Sequence, residues 1–554
     1  MLSPPKIRGI YRTDIRARAS YSEGAGIYRI VPRAVALPAD VEDLRNLVCW
    51  AAEHRIGLIP RGAGSAMGGG NVGDGVILDL TSMERAPPII DPAKRLGLAG
   101  AGTTLTELNA EAARHRLRLP PDPSSGRWAT LGGMVATNAA GARSVRYGSV
   151  RPWIQALTLL TAEGEMVSLR RSEATPDQPS TAAIARFTRV ARPAILAAAS
   201  QVRGRFPRTR KNSSGYALDA YLESGQLIDL VIGAEGTLGI VTQVEWRLSS
   251  IPAHQAGLRI ALRSLDQLSV MVGALRSLQP SALELLDRSF LDLIEADAPE
   301  EVIPSEAEAV LLAEFEQDAP GTLEDILGQA TALATPLAHS VAAAGNREES
   351  ERLWSIRHAA SPILARLPEE RRSLQVIEDG CVPVDRVSEY IRGVRRAASA
   401  RNIPVVIFGH AGDGHIHVNL LPDVTGASWQ APIASLLEEV TGMIVQLGGT
   451  PSGEHGDGRL RAAALDRVYG PELMHLFRLV KDSFDPLGIF NRGVILPGSE
   501  LPISRLKVGS EAAPIPMDIE RGLREIERNG GYAKSRLELA GELGARSSEL
   551  GAGS

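Results

Sequence analysis

Residues 408–420, FGHAGDGHIHVNL, contain three of the ten histidines in this 554-residue chain. The residues before them are typical of a strand, AGDG has the composition of a turn, and HIHVNL alternates polar and apolar residues. A hairpin would bring His410 next to His415 and His417, with the intervening apolar side chains facing the core. Such a row of imidazoles could hold a metal ion or transfer a proton, whereas a single histidine is more often an ordinary core or surface group.

A second cluster follows in SGEHGDGRLR, residues 452–461, where glycines flank Glu454 and His455. Two histidines and one carboxylate leave open positions on a tetrahedral or octahedral ion, and a further histidine could act as a base. The alternative is that both clusters are polar loop groups. We favour a metal site with a neighbouring base, because both segments combine glycine with several ligand types.

Three glycine-rich loops lie earlier in the chain, at residues 60–75, 120–148 and 232–243. Glycine lets the backbone approach a ligand closely, and successive N–H groups can form an anion-binding nest. The first loop, PRGAGSAMGGGNVGDG, is neither a GxGxxG that opens a helix nor a GxxxxGK[ST] motif, which argues against a nicotinamide site. The three loops together suit a large, mostly neutral cofactor with a buried pyrophosphate.

The elements around the first loop are predicted from periodicity. Asp40 is expected to cap a helix whose apolar face contains Leu44, Leu47, Val48 and Ala51. IGLIP then predicts a buried strand ending at Pro60, and GVILDL predicts the next strand. Near the other end of the chain, PELMHLFRLVKDSFDP predicts an amphipathic helix.

Composition excludes several classes of protein. A net charge of −5 argues against a general nucleic-acid binder, and the basic run at 203–211 is interpreted as a solvated loop. With only Cys49 and Cys381, neither a disulfide framework nor an iron–sulfur cluster is expected in this chain. No apolar run approaches ~20 residues and no signal-peptide pattern is present, which predicts a cytoplasmic protein without a transmembrane segment; peripheral attachment to a membrane stays open.

The loops PRGAGSAMGGG, PPDPSS…ATLGGMVATNAAG…YG and GAEGTLGIVT resemble, in order and spacing, the flavin-binding loops of the FAD-linked oxidase superfamily, the vanillyl-alcohol oxidase or PCMH type, over residues 32–496. The resemblance implies an α+β protein with a two-subdomain FAD-binding domain and an α+β substrate domain built on an antiparallel sheet. The expected division is an N-terminal arm (1–32), the FAD domain (33–250), the substrate domain (251–484), a segment returning to the flavin (485–500) and a charged helical, partly disordered tail (501–554).

The same resemblance implies which residues hold FAD. The first loop would bind the pyrophosphate, the second would follow the adenine, ribose and flavin, and the third would close over the cofactor. Some family members attach FAD through a histidine in the first loop; this chain has neither His nor Cys there, so non-covalent FAD is expected. The residues are Arg61, Gly62, Ala63, Gly64, Ser65, Ala66, Gly68, Gly69, Pro121, Asp122, Ser124, Thr130, Gly132, Gly133, Thr137, Asn138, Gly141, Tyr147, Gly148, Glu235, Gly236, Gly239, Ile240 and Asn491.

The motifs GHAGDGHIH and GEHG resemble the signatures of the D-lactate and D-2-hydroxyglutarate dehydrogenase branch, which includes glycolate oxidase-like proteins. The resemblance implies a divalent metal, with zinc expected, on His410, His417 and Glu454. It makes His455 the base. His415 departs from the pattern, which has Asn there, and is interpreted as a neighbour of the ligands.

LWSIRHAAS resembles the segment that supplies the substrate-binding arginine, so Arg357 is expected to grip a carboxylate and Ser361 to assist it. Asn212 and Tyr216 are expected to border the substrate. Ile377 stands where hydroxyglutarate enzymes have lysine, which weakens the case for a second carboxylate on the substrate.

These expectations describe an FAD-dependent dehydrogenase that oxidises a D-2-hydroxy acid to the 2-oxo acid. The alternatives are an oxidase that uses oxygen, a redox-neutral synthase, and the flavin subunit of an electron-transfer complex. The tail resembles the region that precedes an iron–sulfur domain in larger relatives. Its apolar residues have no evident partner in the flavin domain, so it is expected to dock a separate iron–sulfur protein or another subunit; a homodimer stays open.

Overall fold

The computed structural model describes residues 4–541 except 84, 176–179, 295–305, 359, 366, 427 and 533–534, and the side chains of 358, 360–362 and 369 are also outside that description. The C-terminal residues predicted to be disordered, 543–554, therefore lie outside the described residues. The described chain mixes helices with largely antiparallel sheets, which confirms the predicted α+β class.

The first 250 residues contain two principal sheets and one strand pair. Their strands are β1 (Ile10–Arg12), β2 (Ala34–Leu37), β3 (Leu58–Arg61), β4 (Val76–Asp79), β5 (Ile89–Asp91), β6 (Leu96–Gly100), β7 (Leu117–Arg118), β8 (Ile154–Leu160), β9 (Met166–Arg170), β10 (Ile240–Arg247) and β11 (Ser249–Ser250). Their helices are α1 (Ile15–Ser20), α2 (Val41–His54), α3 (Leu105–Ala113), α4 (Leu131–Thr137), α5 (Ser144–Tyr147), α6 (Ala182–Arg186), α7 (Arg192–Ala197), α8 (Ala199–Arg205), α9 (Leu218–Ser224) and α10 (Ile228–Val231).

The first sheet has the order β1-β2-β4-β3, with β2, β4 and β3 parallel. Helix α2 begins as predicted, since the Asp40 side chain accepts a hydrogen bond from the Asp43 N–H and its apolar face is buried. Strand β3 runs through Pro60 to Arg61 instead of ending at Pro60. Proline is tolerated there because β3 lies at the sheet edge. The glycine-rich loop 62–75 then connects two parallel strands.

The second sheet is antiparallel, with the order β5-β6-β10-β8-β9. Helix α4 contacts β10 and begins at Thr130, whose side chain accepts a hydrogen bond from the Gly133 N–H. It ends at Asn138 in the left-handed conformation, which asparagine adopts more readily than most residues. The second glycine-rich loop is therefore anchored at both ends of this short helix.

Residues 251–450 form a second domain around one seven-stranded antiparallel sheet, in the order β15-β12-β14-β13-β17-β18-β16. Its strands are β12 (His254–Leu262), β13 (Ala282–Asp287), β14 (Ala309–Gln317), β15 (Ser340–Ala344), β16 (Gly380–Cys381), β17 (Val405–His410) and β18 (His415–Leu420). Its helices are α11 (Leu268–Arg276), α12 (Arg288–Ile294), α13 (Pro320–Ala334), α14 (Arg347–His358), α15 (Ala360–Ala365), α16 (Val387–Ser399) and α17 (Gln430–Gln446). No helix among the described residues is both long and apolar enough to cross a bilayer.

The predicted domain limit at residue 484 differs from the packing. After α18 (Gly458–Ala462), the predicted amphipathic helix is present as α19 (Leu465–Phe484). It packs on the first domain, where Phe477 and Phe484 join the core around Phe187 and Trp246. An amphipathic pattern identifies a buried face but not which domain buries it, so the sequence could not assign this helix.

The tail is also integrated into the fold, which corrects the expectation that its apolar residues lack a partner. Helix α20 (Met517–Asn529) buries Ile519 and Leu523 against Ala19 of α1. Leu537 joins the core of the first sheet. The N-terminal residues are equally part of the fold, because β1 pairs with β2.

Charged contacts reinforce this packing. Arg524 donates to both carboxylate oxygens of Glu23 at 2.6 Å and to Glu527 at 2.7 Å. We expect Arg524→Ala to lower the free energy of unfolding by about 3 kcal/mol, because it removes one partner of a buried ion pair. The control is Arg521→Ala, which lies on the exposed side of the same helix and should change the free energy of unfolding by less than about 0.5 kcal/mol. Both variants are measured by denaturant unfolding. Equal stability of the two variants would mean that the helix is not held by these charges.

Candidate active site

The predicted histidine hairpin is formed by β17 and β18. His410 pairs with His415, and His417 pairs with Phe408. The ring centroid of His410 lies 5.3 Å from that of His415 and 5.0 Å from that of His417. The hairpin therefore gathers the imidazoles as predicted, but it buries them at the joint between the two domains instead of leaving them on an open polar face.

Hydrogen bonds fix the orientation of two of these rings. Nδ1–H of His410 donates to Oε1 of Glu284 at 2.5 Å, and Nδ1–H of His417 donates to the Glu378 carbonyl at 2.9 Å. The two Nε2 atoms then face each other at 3.2 Å, and Oε1 of Glu454 lies 3.3 Å from the first and 3.5 Å from the second. Three lone pairs thus point at one another, which requires a cation or an extra proton between them.

The spacing of these donor atoms fits a metal ion. Tetrahedral bonds of about 2.0–2.1 Å, as zinc makes to histidine, place neighbouring donors about 3.3 Å apart. The three distances among His410, His417 and Glu454 bracket that value. Two histidines and one glutamate also form a ligand set that leaves a position open for substrate. The residues present therefore fit a divalent ion of the zinc type.

The electrostatics of the cluster favour ionised Glu454. Burial disfavours its charged form, but Lys211 and His410 outweigh burial and hold the pKa of Glu454 well below its usual value. The Lys211 ammonium donates to Oε2 of Glu454 at 2.9 Å, which leaves Oε1 facing the two histidines. Burial opposes the charge on His410 as well, yet Glu284 raises its pKa. In the absence of an ion, a proton on His410 can occupy the position between the donors.

His415 lies among the candidate donors, but its two ring nitrogens have other partners. Its Nε2 lies 2.8 Å from Oδ1 of Asp379, and its Nδ1 lies 3.3 Å from the Lys211 ammonium. Burial, followed by Lys211, lowers the pKa of His415 to about 4. A neutral ring that accepts from Lys211 and donates to Asp379 satisfies both contacts.

Asp379 also shapes the segment that carries the second cluster. Its carboxylate accepts from the backbone N–H groups of Glu454 at 3.2 Å and His455 at 3.0 Å, and from the Ser452 hydroxyl at 2.7 Å. A Cβ on Gly453 would lie 2.7 Å from the His415 ring, so this segment packs directly on the hairpin. This close contact explains Gly453, one of the two flanking glycines.

His455 lies beside the ligands with one nitrogen held by a carboxylate. Its Nδ1 is 2.7 Å from Oε2 of Glu378, its Nε2 is 3.6 Å from Glu454, and its ring stacks on His417 at 5.4 Å. Burial opposes its charge, but Glu378 and Asp379 outweigh burial and raise the pKa of His455 to about 10. Without a cation nearby, His455 is therefore protonated at neutral pH; a divalent ion on Glu454 would oppose that proton.

Arg357, on α14, is connected to the same cluster through Glu284. Its Nε donates to Oε2 of Glu284 at 2.9 Å, and its guanidinium carbon lies 4.6 Å from the centroid of the Phe408 ring. The two terminal nitrogens have no hydrogen-bond partner among the described side chains and backbone. Ser361 lies on α15, but its side chain is outside the described residues.

A cavity of about 1130 Å³ connects this cluster to the glycine-rich loops. It exceeds the roughly 300–1,000 Å³ of ordinary small-molecule sites. Its loop end contains the backbone of residues 62–66, whose N–H groups have no acceptor in the described part of the chain. A row of unpaired N–H groups facing a cavity is a nest for an anion such as a pyrophosphate. The cavity therefore fits a large dinucleotide and leaves room for a smaller molecule at its histidine end.

Most of the predicted site residues line this cavity. Those that do are Arg61, Gly62, Ala63, Gly64, Ser65, Ala66, Asp122, Ser124, Thr130, Gly132, Gly133, Thr137, Glu235, Gly236, Gly239, Ile240, Arg357, His410, His417, Glu454 and His455. The Arg61 side chain has a structural role, since it donates to the carbonyls of Tyr21, Glu23 and Asn71. A Cβ on Gly64 would lie 2.5 Å from that guanidinium, and Gly64 has a φ of +80°, so this position requires glycine.

Other predicted residues support the loops but do not themselves line the cavity. They are Gly68, Gly69, Pro121, Asn138, Gly141, Tyr147, Gly148 and Asn491. Asn491, for example, donates to the carbonyls of Gly70 and Glu235 and so joins the first loop to the third. The Tyr147 hydroxyl donates to Glu316 at 2.7 Å in the contact between domains.

Asn212 and Tyr216 are not brought to the substrate end, which corrects that prediction. The Tyr216 hydroxyl is 2.7 Å from Thr237 within the core of the first domain. The Asn212 carbonyl oxygen accepts from Thr450 at 2.8 Å and from the Ser214 N–H. Both side chains are occupied by packing contacts, which their position in the sequence did not reveal.

Several cavity or neighbouring residues escaped the sequence analysis. Lys211 belongs to the basic run interpreted as a solvated loop, yet its side chain is buried against Glu454. Glu284, Glu378 and Asp379 are buried carboxylates in otherwise apolar segments. A carboxylate within an apolar stretch of sequence was the signal that could have identified them, because a buried charge requires a partner. The tail contributes residues 527–530 and 532 to the cavity wall, which no local pattern could have shown.

The cavity has a glycine-lined end large enough for a dinucleotide. Its other end has a candidate metal-ligand cluster, a histidine and an arginine, an arrangement that fits a flavin-dependent oxidoreductase. Two family descriptions match this chain: "FAD binding domain" over residues 32–170 and "FAD linked oxidases, C-terminal domain" over residues 251–495. The chain belongs to the FAD-linked oxidase family, which confirms the resemblance, the FAD-binding fold and the assignment as an FAD-linked oxidoreductase.

Similar proteins of known name share most of the chain. D-lactate dehydrogenase of Archaeoglobus fulgidus is 29% identical over 84% of this chain and 93% of its own length. Glycolate oxidase subunit GlcD of Bacillus subtilis is 28% identical over 84% and 89%. D-2-hydroxyglutarate dehydrogenase of Pseudomonas putida is 27% identical over 88% of this chain and 50% of its own length.

The fold also resembles solved structures of alkyldihydroxyacetonephosphate synthase. Two of them superpose with a TM-score of 0.57 over 87% of this chain, at 16% and 15% identity, and cover 81% and 83% of the synthase chains. At this identity the likeness concerns the fold alone.

Proposed function

We propose that this protein is a dehydrogenase that oxidises a D-2-hydroxy acid to the 2-oxo acid, with non-covalent FAD and a zinc-type divalent ion. The observation that carries the proposal is the convergence of Arg357, His455 and the His410–His417–Glu454 cluster at one end of the FAD cavity. Bound FAD would accept the two electrons and hydrogen from C2, and a bound ion would lower the pKa of the substrate hydroxyl.

The protein's own groups bind and deprotonate the substrate. The terminal nitrogens of Arg357 hold the carboxylate, which fixes the position of C2. Nε2 of His455 takes the hydroxyl proton, while Glu378 holds Nδ1–H and keeps the ring in place. The same Glu378 accepts from Arg461 at 2.5 Å, which anchors this carboxylate.

The wall beyond His417 favours a small, uncharged substrate side chain such as that of D-lactate. It contains Ser373, Gln375 and Asn419, all neutral. Ile377 is buried in the apolar core of the substrate domain and supplies no charge for a distal carboxylate. Arg372 also lines the cavity, but it is paired with Glu527 of the tail.

The test is anaerobic reduction of the flavin by a series of D-2-hydroxy acids, followed by exposure to air. We expect bleaching of the flavin by D-lactate or a close relative, no bleaching by the L-enantiomer, and slow reoxidation in air. Rapid reoxidation would favour an oxidase. The absence of reduction by every hydroxy acid would contradict the proposal and favour a synthase or an electron-transfer subunit.

Arg357→Lys should raise the substrate KM at least about tenfold and leave the FAD content unchanged. Lysine keeps the charge but replaces the planar guanidinium, which can donate two parallel hydrogen bonds, with a single ammonium group. It also loses the Nε contact to Glu284. Steady-state kinetics and flavin absorbance measure both effects. Arg352→Lys, five residues earlier on α14 and exposed, is the control and should behave as the wild type. Unchanged kinetics of the Arg357 variant would mean that another group binds the carboxylate.

A further inference from the structure

Glu284 is a carboxylate buried in the middle of an apolar strand. It lies on β13 between Leu283 and Leu285, and its side chain is 0% exposed. Leu285 pairs with Gly409, and the next step of this antiparallel register puts Glu284 opposite His410. A charge in such a position is unfavourable unless specific partners satisfy it.

The partners of Glu284 both belong to the candidate active site. Oε1 accepts from Nδ1–H of His410 at 2.5 Å, and Oε2 accepts from Nε–H of Arg357 at 2.9 Å. Each oxygen therefore serves a different group, one in the metal-ligand cluster and one on the carboxylate-binding arginine. Glu284 itself lines the cavity.

We propose that Glu284 is a positioning residue that orients a metal ligand and the substrate-binding arginine simultaneously. Toward His410 it fixes the tautomer, so that the Nε2 lone pair points at Glu454, and it increases the basicity of the ring. Toward Arg357 it occupies Nε, so that the two terminal nitrogens are the groups left for a substrate carboxylate. The Phe408 ring, 4.6 Å from the guanidinium carbon, restricts the orientation of the guanidinium plane. This proposal rests on the proposed function.

A buried ion pair on the same strand distinguishes this role from simple packing. Asp287, three residues further along β13, is also 0% exposed and is paired with Arg395 and bonded to Ser289. Among the described residues, neither Asp287 nor Arg395 lines the cavity. Asp287 thus provides a matched carboxylate with the same burial, strand and type of partner, but without contact to the site.

The first measurement is Zn²⁺ affinity of the purified holoprotein by equilibrium dialysis. We expect Glu284→Gln to weaken Zn²⁺ binding about 10–100-fold, the range for loss of an outer-shell partner of a histidine ligand. Glutamine keeps the volume but removes the negative charge from the contacts with both His410 and Arg357, and its NH₂ must also face one of these two donors. Asp287→Asn should bind Zn²⁺ within about twofold of the wild type. Bound FAD and the unfolding midpoint of each variant identify any general loss of structure.

The second measurement separates the effect of Glu284 on Arg357 from its effect on His410. At saturating Zn²⁺, Glu284→Gln should still raise the KM for the hydroxy acid about tenfold with a smaller change in kcat, because Arg357 has lost its orienting contact. Glu284→Asp, which keeps the charge, should recover part of the Zn²⁺ affinity.

Zn²⁺ affinity of Glu284→Gln within twofold of the wild type would overturn the proposal, and so would equal losses in Glu284→Gln and Asp287→Asn. If no hydroxy acid reduces even the wild-type flavin, the proposed function fails. The comparison of Zn²⁺ affinities still decides the role of Glu284, so the two failures are distinguishable.

Discussion

His410→Ala should lose the metal ion and the hydroxy-acid-dependent reduction of flavin together. His410 supplies one of the three donor atoms that lie 3.2–3.5 Å apart, and its removal leaves two. The affinity for Zn²⁺ should therefore fall by more than the roughly 10–100-fold expected for a residue that only orients a ligand. Metal analysis after dialysis, and the anaerobic reduction rate measured on the same sample, test both effects.

Treatment of the wild type with a chelator should reproduce this result, and addition of Zn²⁺, Mn²⁺ or Co²⁺ should restore the wild type but not the variant. His475→Ala, which removes an exposed histidine on α19, is the control and should retain metal and rate. FAD should stay bound in both variants, because the loops that hold it lie at the other end of the cavity. Full metal content and full rate in His410→Ala would mean that the hairpin is only structural.

His455→Gln should give the opposite combination, with metal and FAD retained but with flavin reduction slowed by roughly 10²–10⁴. Its Nε2 lies 3.6 Å from Glu454 and faces the cavity, while Nδ1 is held by Glu378. Glutamine can keep a contact to Glu378 but cannot accept the substrate proton at neutral pH. Stopped-flow reduction at saturating substrate measures the step directly.

The pH dependence of the wild type gives a second check on His455. In the absence of a cation, its pKa is raised to about 10, so it is protonated and unable to act as a base at neutral pH. A bound divalent ion should move the onset of flavin reduction to lower pH, and this limb of the pH profile should disappear in His455→Gln. A variant that reduces flavin at the wild-type rate would show that another group takes the proton.

The local elements of the site were predictable from the sequence. Alternation in HIHVNL determines that His415, His417 and Asn419 share one face of a strand, and the AGDG turn returns His410 to that face. The Asp40 cap and the apolar face of α2 follow from spacing alone. The glycine content of the three loops indicates a large cofactor, because glycine is needed where the backbone approaches a ligand. These features depend on neighbours in sequence.

The tertiary structure decided what surrounds those elements. Glu284, Lys211 and Glu378 come from segments separated by more than 30 residues from the histidines they contact, and no periodicity links them. Packing of α19 on the first domain and of α20 along the cavity wall was equally hidden, because an apolar face does not specify its partner. Asn212 and Tyr216 were assigned to the substrate from their position in the chain, and long-range hydrogen bonds hold them elsewhere. The sequence by itself determined which residues could do chemistry, whereas the fold decided which carboxylate faces each ring and therefore where its lone pair points.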